Sequence, residues 1–196
     1  KDTAFVEPRE IKKQTVSDKQ ESLKTKHEER FVKLDAVGEP TNNQQKWSCV
    51  LDRQLNLIWE IKENDGGWQD KEFTYSWFQP LNYEQKPVDP LTLGREDAGT
   101  CLFIKCDTES YITKLNQEKL CSKTQWRLPA EQELRSLDHP TAYFPDIDVR
   151  FFPNTMSGAY WSSTESPSDK QLALVVDFSN NIGYQVYKRL PQYVRG

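Results

Sequence analysis

Nucleophiles and bases are few in this chain of 196 residues, and none stands in a spacing that catalysis requires. The chain has two histidines, His27 in a polar segment and His139 before a proline. A general base needs an orienting partner and a pocket, whereas a histidine in such a setting is ordinarily a surface residue. Ser162-Ser163-Thr164 lacks the flanking glycines of a nucleophile elbow, and there is no Gly-rich phosphate loop. These observations predict a non-enzymatic protein without a cofactor.

The four cysteines are the other reactive groups, and they stand at Cys49, Cys101, Cys106 and Cys121. An even number within a compact region is typical of two disulfides in an exported protein. Zinc binding is the alternative, but no second close pair accompanies Cys101 and Cys106, and both histidines are distant in sequence. We therefore predict disulfides rather than a metal or free thiols, and a location in the periplasm or at the cell surface.

Calcium is a second metal to consider, because several turns offer oxygen ligands. They are Asn64-Asp65, Asp146-Ile147-Asp148 and Asn180-Asn181. None of them forms an EF-hand loop, and Asp and Asn in turns usually stabilise the backbone. Turn formation is the preferred interpretation, and no metal site is predicted.

Aromatic and basic residues are concentrated near the C-terminus. The candidate ligand-binding residues are Tyr184, Tyr187, Lys188, Arg189 and Arg195. Sugar sites pair an aromatic face with a few polar side chains, and the three cations could hold an anionic glycan through charge-assisted hydrogen bonds. Strand alternation places Tyr187 and Arg189 on one face and Lys188 with Tyr184 on the other. The alternative is that the basic residues form a solvated strand edge that prevents aggregation.

Composition restricts the partners further. The formal net charge of −4 argues against nucleic acid, although a local basic patch is compatible with it. No run of 18 apolar residues occurs, so no membrane span is predicted. The chain begins with Lys1 and not with methionine, so we expect a processed or trimmed product. A glycan, another extracellular polymer or a protein remains as the expected partner, and homo-oligomerisation is left open.

Two regions are expected along the chain. Residues 1–29 carry charges of both signs with sparse apolar positions, which predicts a tether or a solvated helix. Residues 30–196 form the globular domain, in which alternating apolar runs predict antiparallel strands. The predicted strands are residues 31–35, 47–52, 57–62, 158–163, 171–178, 183–189 and 193–195. Between the two groups of strands lies a long irregular stretch, residues 68–100, which contains Trp77 and Phe78.

Two helices are predicted in the middle of the domain. Asp107 can cap a helix from Thr108 to about residue 119. A second, short helix follows the segment Trp126-Arg127-Leu128-Pro129, because proline is tolerated in a first turn. Its apolar side carries Leu134 and Leu137, which makes the segment a packing centre, and we expect Arg127 to pair with Glu131. The fold class is therefore α+β with an antiparallel sheet, two central helices and long loops.

These residues resemble one known family. The blocks that carry the resemblance are Trp47-Ser48-Cys49-Val50, Leu57-Ile58-Trp59-Glu60, Cys106-Asp107-Thr108, Leu120-Cys121, Trp126-Arg127-Leu128-Pro129 with Glu133-Leu134, Tyr160-Trp161-Ser162-Ser163-Thr164 and Tyr193-Val194-Arg195. Together they resemble the Lcl C-terminal domain family, named after a collagen-like bacterial surface adhesin. The resemblance covers about residues 30 to 196. It implies an exported bacterial domain with a C-type-lectin-like arrangement, similar to the formylglycine-generating enzymes.

The resemblance also suggests a function, because the best-understood member trimerises and binds sulfated glycosaminoglycans. We expect adhesin-like recognition of a glycan or extracellular polymer, and the alternative is a structural or assembly component of a periplasmic or cell-surface complex. An apolar patch exposed by the loop around Trp77 would favour the second role. Four cysteines allow three pairings. We predict Cys101–Cys106 as a local clamp and Cys49–Cys121 as a link from the first hairpin to the end of the first helix.

Overall fold

The computed structural model describes residues 29–41, 45–80, 89–139 and 145–196. The predicted tether, residues 1–29, lies outside these ranges apart from its last residue, and so does His27. Within the described ranges the fold is α+β, with two antiparallel three-stranded sheets and two α-helices. None of the described helices is long and apolar enough to cross a bilayer.

The first sheet consists of β1 (Phe31–Leu34), β2 (Cys49–Asp52) and β3 (Leu57–Glu60), in that order. All three strands were predicted, although the sequence pattern extended each of them by one or two residues. The turn at 53–56 joins β2 to β3, and Asn56 at its end adopts φ 54°, which asparagine tolerates better than most residues. The register places Cys49 opposite both Leu34 and Glu60.

The first helix, α1 (Thr108–Glu118), begins where the sequence predicts. The Asp107 carboxylate accepts a hydrogen bond from the Ser110 N–H at 2.8 Å, as a helix N-cap does. Tyr111 and Leu115 lie on its buried face, against the first sheet and Trp126. The helix therefore attaches to the domain through an apolar stripe with a polar outer surface.

The packing centre forms around the short helix α2 (Glu131–Arg135). Leu134 and Leu137 are fully buried, which confirms the predicted apolar side. Arg127 pairs with a carboxylate, as predicted, but the partner is Glu133 and not Glu131: the guanidinium forms two hydrogen bonds with Glu133, at 2.8 and 2.7 Å. Glu131 pairs with Arg135, four residues along the helix. Glu133 is favoured because it also accepts the Ala130 N–H at 2.7 Å and so lies beside Arg127.

The second sheet contains β4 (Ala159–Glu165), β5 (Leu172–Asp177) and β6 (Ile182–Tyr187), with β6 at the edge. The predicted closing strand, residues 193–195, is not a strand. Tyr193 forms a single bridge with Tyr160. The reason is that Arg195 leaves the sheet and turns into the interior.

The irregular stretch packs onto both sheets. Trp77 is buried, and its indole N–H donates to the Ser162 carbonyl at 2.9 Å. Isolated bridges connect Thr74 to Thr100 and Tyr75 to Gln192. Within the described part of this stretch, Trp77 is therefore packed inside the domain and contributes no exposed apolar surface.

Two disulfides are present, Cys49–Cys121 and Cys101–Cys106, and these are the predicted pairs. The first joins β2 to the end of α1, and both of its cysteines are completely buried. Gly38, in the loop after β1, lies directly against this disulfide. It has φ 87°, and a Cβ atom there would come within 2.6 Å of the Cys121 carbonyl oxygen. A residue with a side chain would therefore force this loop away from the disulfide.

Candidate anion-binding groove

An open groove of about 610 Å³ runs along β1 and the turn between β2 and β3. Its lining residues are Phe31, Val32, Lys33, Thr41, Arg53, Arg150 and Phe151. Three of these are cationic and two are aromatic. They come from three separate parts of the chain, and the first sheet and the core beneath it bring them together.

Lys33 lies at the base of the groove with 8% of its surface exposed. Its ammonium nitrogen is 3.5 Å from the centre of the Trp47 ring and 5.6 Å from that of Phe151. In the described part of the chain no carboxylate lies within ion-pair distance of it. Burial lowers the pKa of Lys33, the charge of Asp148 opposes this change, and the charge of Arg150 adds to it. An anion in the groove would therefore stabilise the charged form of Lys33.

Arg53 lies in the exposed turn between β2 and β3. Its guanidinium makes one long hydrogen bond, 3.4 Å, to the Glu29 carbonyl. Within the described ranges no carboxylate is paired with this side chain. The neighbouring Arg30, in contrast, holds Asp52 through two hydrogen bonds and is not available to a ligand.

Arg150 is positioned by Asp148. The Arg150 Nε and Nη2 atoms lie 2.9 and 2.6 Å from the two carboxylate oxygens of Asp148, and the Arg150 side chain stays 40% exposed. Burial would raise the pKa of Asp148, but the hydrogen bonds from Arg150 outweigh it and the pKa is lowered. His139 lies on the other side of the same carboxylate, with its Nε2 at 3.6 Å. Asp148 is thus a positioning group for Arg150.

The aromatic residues form the apolar part of the groove. The Phe31 and Phe151 rings have centroids 5.4 Å apart, and the Trp47 indole N–H donates to the Phe151 carbonyl at 3.0 Å. Both contacts fix the rings, so the groove is largely preformed. Fixed aromatic faces beside guanidinium groups suit a ligand that has apolar surfaces and negatively charged substituents.

The structure divides the predicted ligand-binding residues into two groups. Tyr184, Tyr187 and Arg189 are exposed on or just after β6, at the edge of the second sheet. The Arg189 guanidinium lies 4.5 Å above the Tyr187 ring, and the Tyr184 hydroxyl donates to Asp177 at 3.4 Å. Tyr187 and Arg189 thus form a small surface pair, Tyr184 interacts with Asp177, and none of the three lines the groove.

Lys188 and Arg195 are buried, and we correct their assignment as ligand-binding residues. The Lys188 ammonium donates to Glu165 at 2.8 Å and lies 3.9 Å above the Trp77 ring. The Arg195 guanidinium donates to the Glu60 carbonyl at 2.9 Å and to the Thr155 hydroxyl at 2.7 Å. Most of their donors are bonded inside the protein, although the Arg195 Nε has no partner among the described residues, and neither side chain reaches solvent.

Sequence reasoning missed the groove because its cations are isolated in sequence. Lys33 lies in a strand, Arg53 in a turn, and Arg150 next to Phe151 in a loop. The one local signal is the Asp148-Val149-Arg150-Phe151 sequence, in which a carboxylate precedes an arginine and an aromatic residue. Of these four residues only Asp148 was considered, as an oxygen ligand in the turn Asp146-Ile147-Asp148.

A family model described as the Lcl C-terminal domain matches residues 48–196, well over half of the chain. The chain belongs to the Lcl C-terminal domain family. No curated protein and no solved structure gives a significant match. Membership of the Lcl C-terminal domain family indicates a surface-related domain, and the two disulfides are compatible with export. The matched region contains Arg53 and Arg150, whereas Phe31 and Lys33 precede it, so the groove combines residues from inside and outside the family match.

Proposed function

We propose that this protein is a non-enzymatic, exported binding domain that recognises an anionic glycan or a related extracellular polymer in an adhesin-like role. The observation that carries the proposal is the groove, in which Lys33 and Arg53 lack a carboxylate partner within the described ranges and stand beside fixed aromatic rings. A buried cation without a carboxylate partner, such as Lys33, weakens folding unless something else uses its charge. A ligand with sulfate or carboxylate groups would use it.

The proposed binding mode follows from the geometry. The Arg53 guanidinium supplies directional donors, and Lys33 adds positive potential from the base of the groove, as does Arg150, which Asp148 holds in place. The half-buried Phe151 ring contacts the apolar face of a sugar ring, and the buried Phe31 ring packs against Phe151. The domain as a whole is acidic, so we expect attraction to be local to the groove and weaker than for a basic protein.

The arrangement of the fold is part of the same proposal. Two small antiparallel sheets, long irregular loops and two disulfides support a C-type-lectin-like domain. Family membership and the disulfides support a location in the periplasm or at the cell surface. The function itself rests on the groove and not on the fold.

The experiment is a binding titration of the protein against heparin, a sulfated polymer, with uncharged dextran of similar length as the reference. We expect binding to heparin alone, with an affinity that falls as salt is added, because exposed charges are screened. Arg53→Ala should weaken binding about tenfold, the loss of one charged hydrogen bond worth about 1.4 kcal/mol. The matched control is Arg189→Ala, which removes an exposed arginine from the second sheet and should leave binding unchanged.

Three results would contradict the proposal. They are equal binding to both polymers, no binding to heparin at low salt, or an equal loss of affinity in Arg53→Ala and Arg189→Ala. The last result would implicate the surface pair of Tyr187 and Arg189 as much as the groove. Heparin that is shortened after incubation would contradict the non-enzymatic part.

A further inference from the structure

The loop closed by the Cys101–Cys106 disulfide, residues 101–106, presents two large apolar side chains to solvent. Leu102 is 54% exposed and Phe103 is 76% exposed. The next residue, Ile104, packs against the core beneath the first sheet and fixes the loop to the domain. Single exposed apolar residues are common, but two adjacent ones at the tip of a closed loop form a convex apolar feature.

Both ends of this loop are attached to the same short segment of backbone. Thr100 exchanges two hydrogen bonds with Thr74, of 2.8 and 3.0 Å, and the Cys106 carbonyl accepts the Ser76 N–H at 3.0 Å. The Asp97 carboxylate accepts the Cys106 N–H at 2.8 Å. With the disulfide, these bonds hold the loop in one conformation, so a partner would not have to order it.

Phe103 adopts φ 75°, in the left-handed region that a bulky residue rarely occupies. Its side chain makes little contact with the domain, so packing does not explain why a phenylalanine stands at this position. Backbone strain of this kind is concentrated at binding sites, where the surrounding structure imposes it. The strained backbone and the exposed ring together indicate a side chain displayed for contact.

The charge around the tip indicates what it contacts. Lys105 pairs with Glu96 at 2.5 Å, and Asp97 and Asp107 add negative charge near the same ammonium. Glu96 is balanced by Lys105 and Asp107 is buried, so the exposed Asp97 leaves a local excess of negative charge beside the tip. Membrane-surface binding through so few apolar residues needs attraction to anionic lipids, and these carboxylates would oppose it. A concave protein surface with a basic rim complements both the shape and the charge of the tip.

We propose that residues 101–106 form a docking loop, which inserts Leu102 and Phe103 into an apolar pocket of a protein partner whose rim carries Lys or Arg. This contact is independent of the anionic ligand in the groove. Because the apolar contact is small, we expect a transient complex in which Phe103 is the residue of largest effect.

The test replaces Phe103 with photoreactive benzoylphenylalanine in the full chain, in the cells that produce it, and maps the covalent adduct by mass spectrometry. The control places the same residue at Leu91, which is also exposed. We expect a discrete adduct from position 103 alone, joined to a partner peptide that contains apolar residues close to Lys or Arg. Leu102→Ser in the same chain should reduce the yield about tenfold, as expected for a contact worth about 1.4 kcal/mol. The double variant Cys101→Ser with Cys106→Ser should also reduce it, because the loop loses its fixed conformation.

Each other outcome overturns the docking proposal. An adduct with lipid would assign the loop to a membrane surface, and an adduct between two copies of this chain would assign it to self-association. No adduct, an equal adduct from position 91, or a yield that Leu102→Ser leaves unchanged would show that the tip docks to nothing. Purified Phe103→Ser protein should keep its melting temperature and its heparin binding. A failure of the docking proposal is therefore distinguishable from a failure of the groove proposal.

Discussion

Lys62 and Lys33 are both buried, and each ammonium lies above an aromatic ring, yet their surroundings differ. The Lys62 ammonium lies 3.5 Å from the Glu60 carboxylate and donates to the Tyr111 hydroxyl at 2.7 Å, while Tyr111 donates to Glu60. The Lys33 ammonium has the Trp47 ring and no ion-pair partner in the described part of the chain. One lysine belongs to a closed network, and the other faces an open groove.

This difference separates a structural charge from one that is available for binding. In the interior network the Glu60 carboxylate also accepts the Gly196 N–H at 2.8 Å, so both of its oxygens are satisfied. Such a network tolerates no ligand, and removal of any member leaves another one buried without its partner. In the groove, Lys33 and Arg53 have no carboxylate partner among the described residues, whereas Arg150 is paired with Asp148. The same residue types thus serve stability in one region and, as we propose, recognition in the other.

The largest effect is expected for Glu60→Ala in the interior network. The Lys62 ammonium would remain buried without its carboxylate, so we expect a loss of about 3–5 kcal/mol in the free energy of unfolding. Urea unfolding followed by tryptophan fluorescence measures it. Glu63→Ala is the control, because Glu63 pairs at 3.0 Å with the exposed Lys46 and should cost about 1 kcal/mol or less. Equal losses in both variants would remove the distinction between the regions.

The second effect concerns the disulfide that holds β2 beside Glu60. Replacing Cys49 and Cys121 together by alanine opens a link between residues 72 positions apart, for which loop entropy gives a loss of about 4 kcal/mol. The matching change at Cys101 and Cys106, five positions apart, should cost about 2 kcal/mol. Denaturation of both variants without reductant tests the order. A larger loss of unfolding free energy on removal of Cys101–Cys106 would show that this disulfide, and not Cys49–Cys121, stabilises the core.

A substitution in the groove should weaken ligand binding without lowering the stability of the domain. Lys33→Met keeps the length of the side chain and removes a charge that burial and Arg150 both oppose. We therefore expect the free energy of unfolding to stay the same or rise by about 1 kcal/mol. Heparin binding should weaken in the same variant. Unfolding and binding measured on one preparation check this prediction, and a clear loss of stability would make Lys33 a structural residue like Lys62.

The smallest effect is a dependence on pH. The pKa of Lys33 is lowered from 10.5, so between the lowered value and 10.5 the unfolded chain binds more protons than the folded one. The contribution of Lys33 to stability must therefore rise with pH across this window. Binding of an anion should fall over the same range as the ammonium loses its charge. Lys62 and Lys188 titrate too, so the quantity to measure is the difference between the original protein and Lys33→Met. The prediction fails if this difference does not change with pH.

Local signals predicted much of the fold. Asp107 caps α1 because its carboxylate needs only the N–H three residues ahead. Cys49–Cys121 was predicted, among three possible pairings, as a link from the first hairpin to the end of the first helix. The sites were harder, because long-range contacts decide them. Lys188 is hydrogen-bonded to Glu165, 23 residues away in sequence. Arg195 is hydrogen-bonded to Thr155, 40 residues away. No periodicity in the last strand carries that information.

The groove was unpredictable for the same physical reason. Its cations stand at positions 33, 53 and 150, each surrounded in sequence by residues of ordinary composition. They become a site only when β1, the turn after β2 and the loop before Phe152 pack together. A chain with a net negative charge can still carry such a patch, because net charge does not determine where the individual charges lie.

The complete burial of Cys49 and Cys121 beneath the Gly38 loop has a kinetic consequence. Thiol–disulfide exchange requires a thiolate to reach a sulfur atom directly, and neither sulfur of this bridge is accessible in the folded domain. At high thiol concentration the rate of reduction should therefore stop increasing and equal the rate at which the domain opens. The rate at which this disulfide is reduced thus measures how often the domain opens, and no added label is needed.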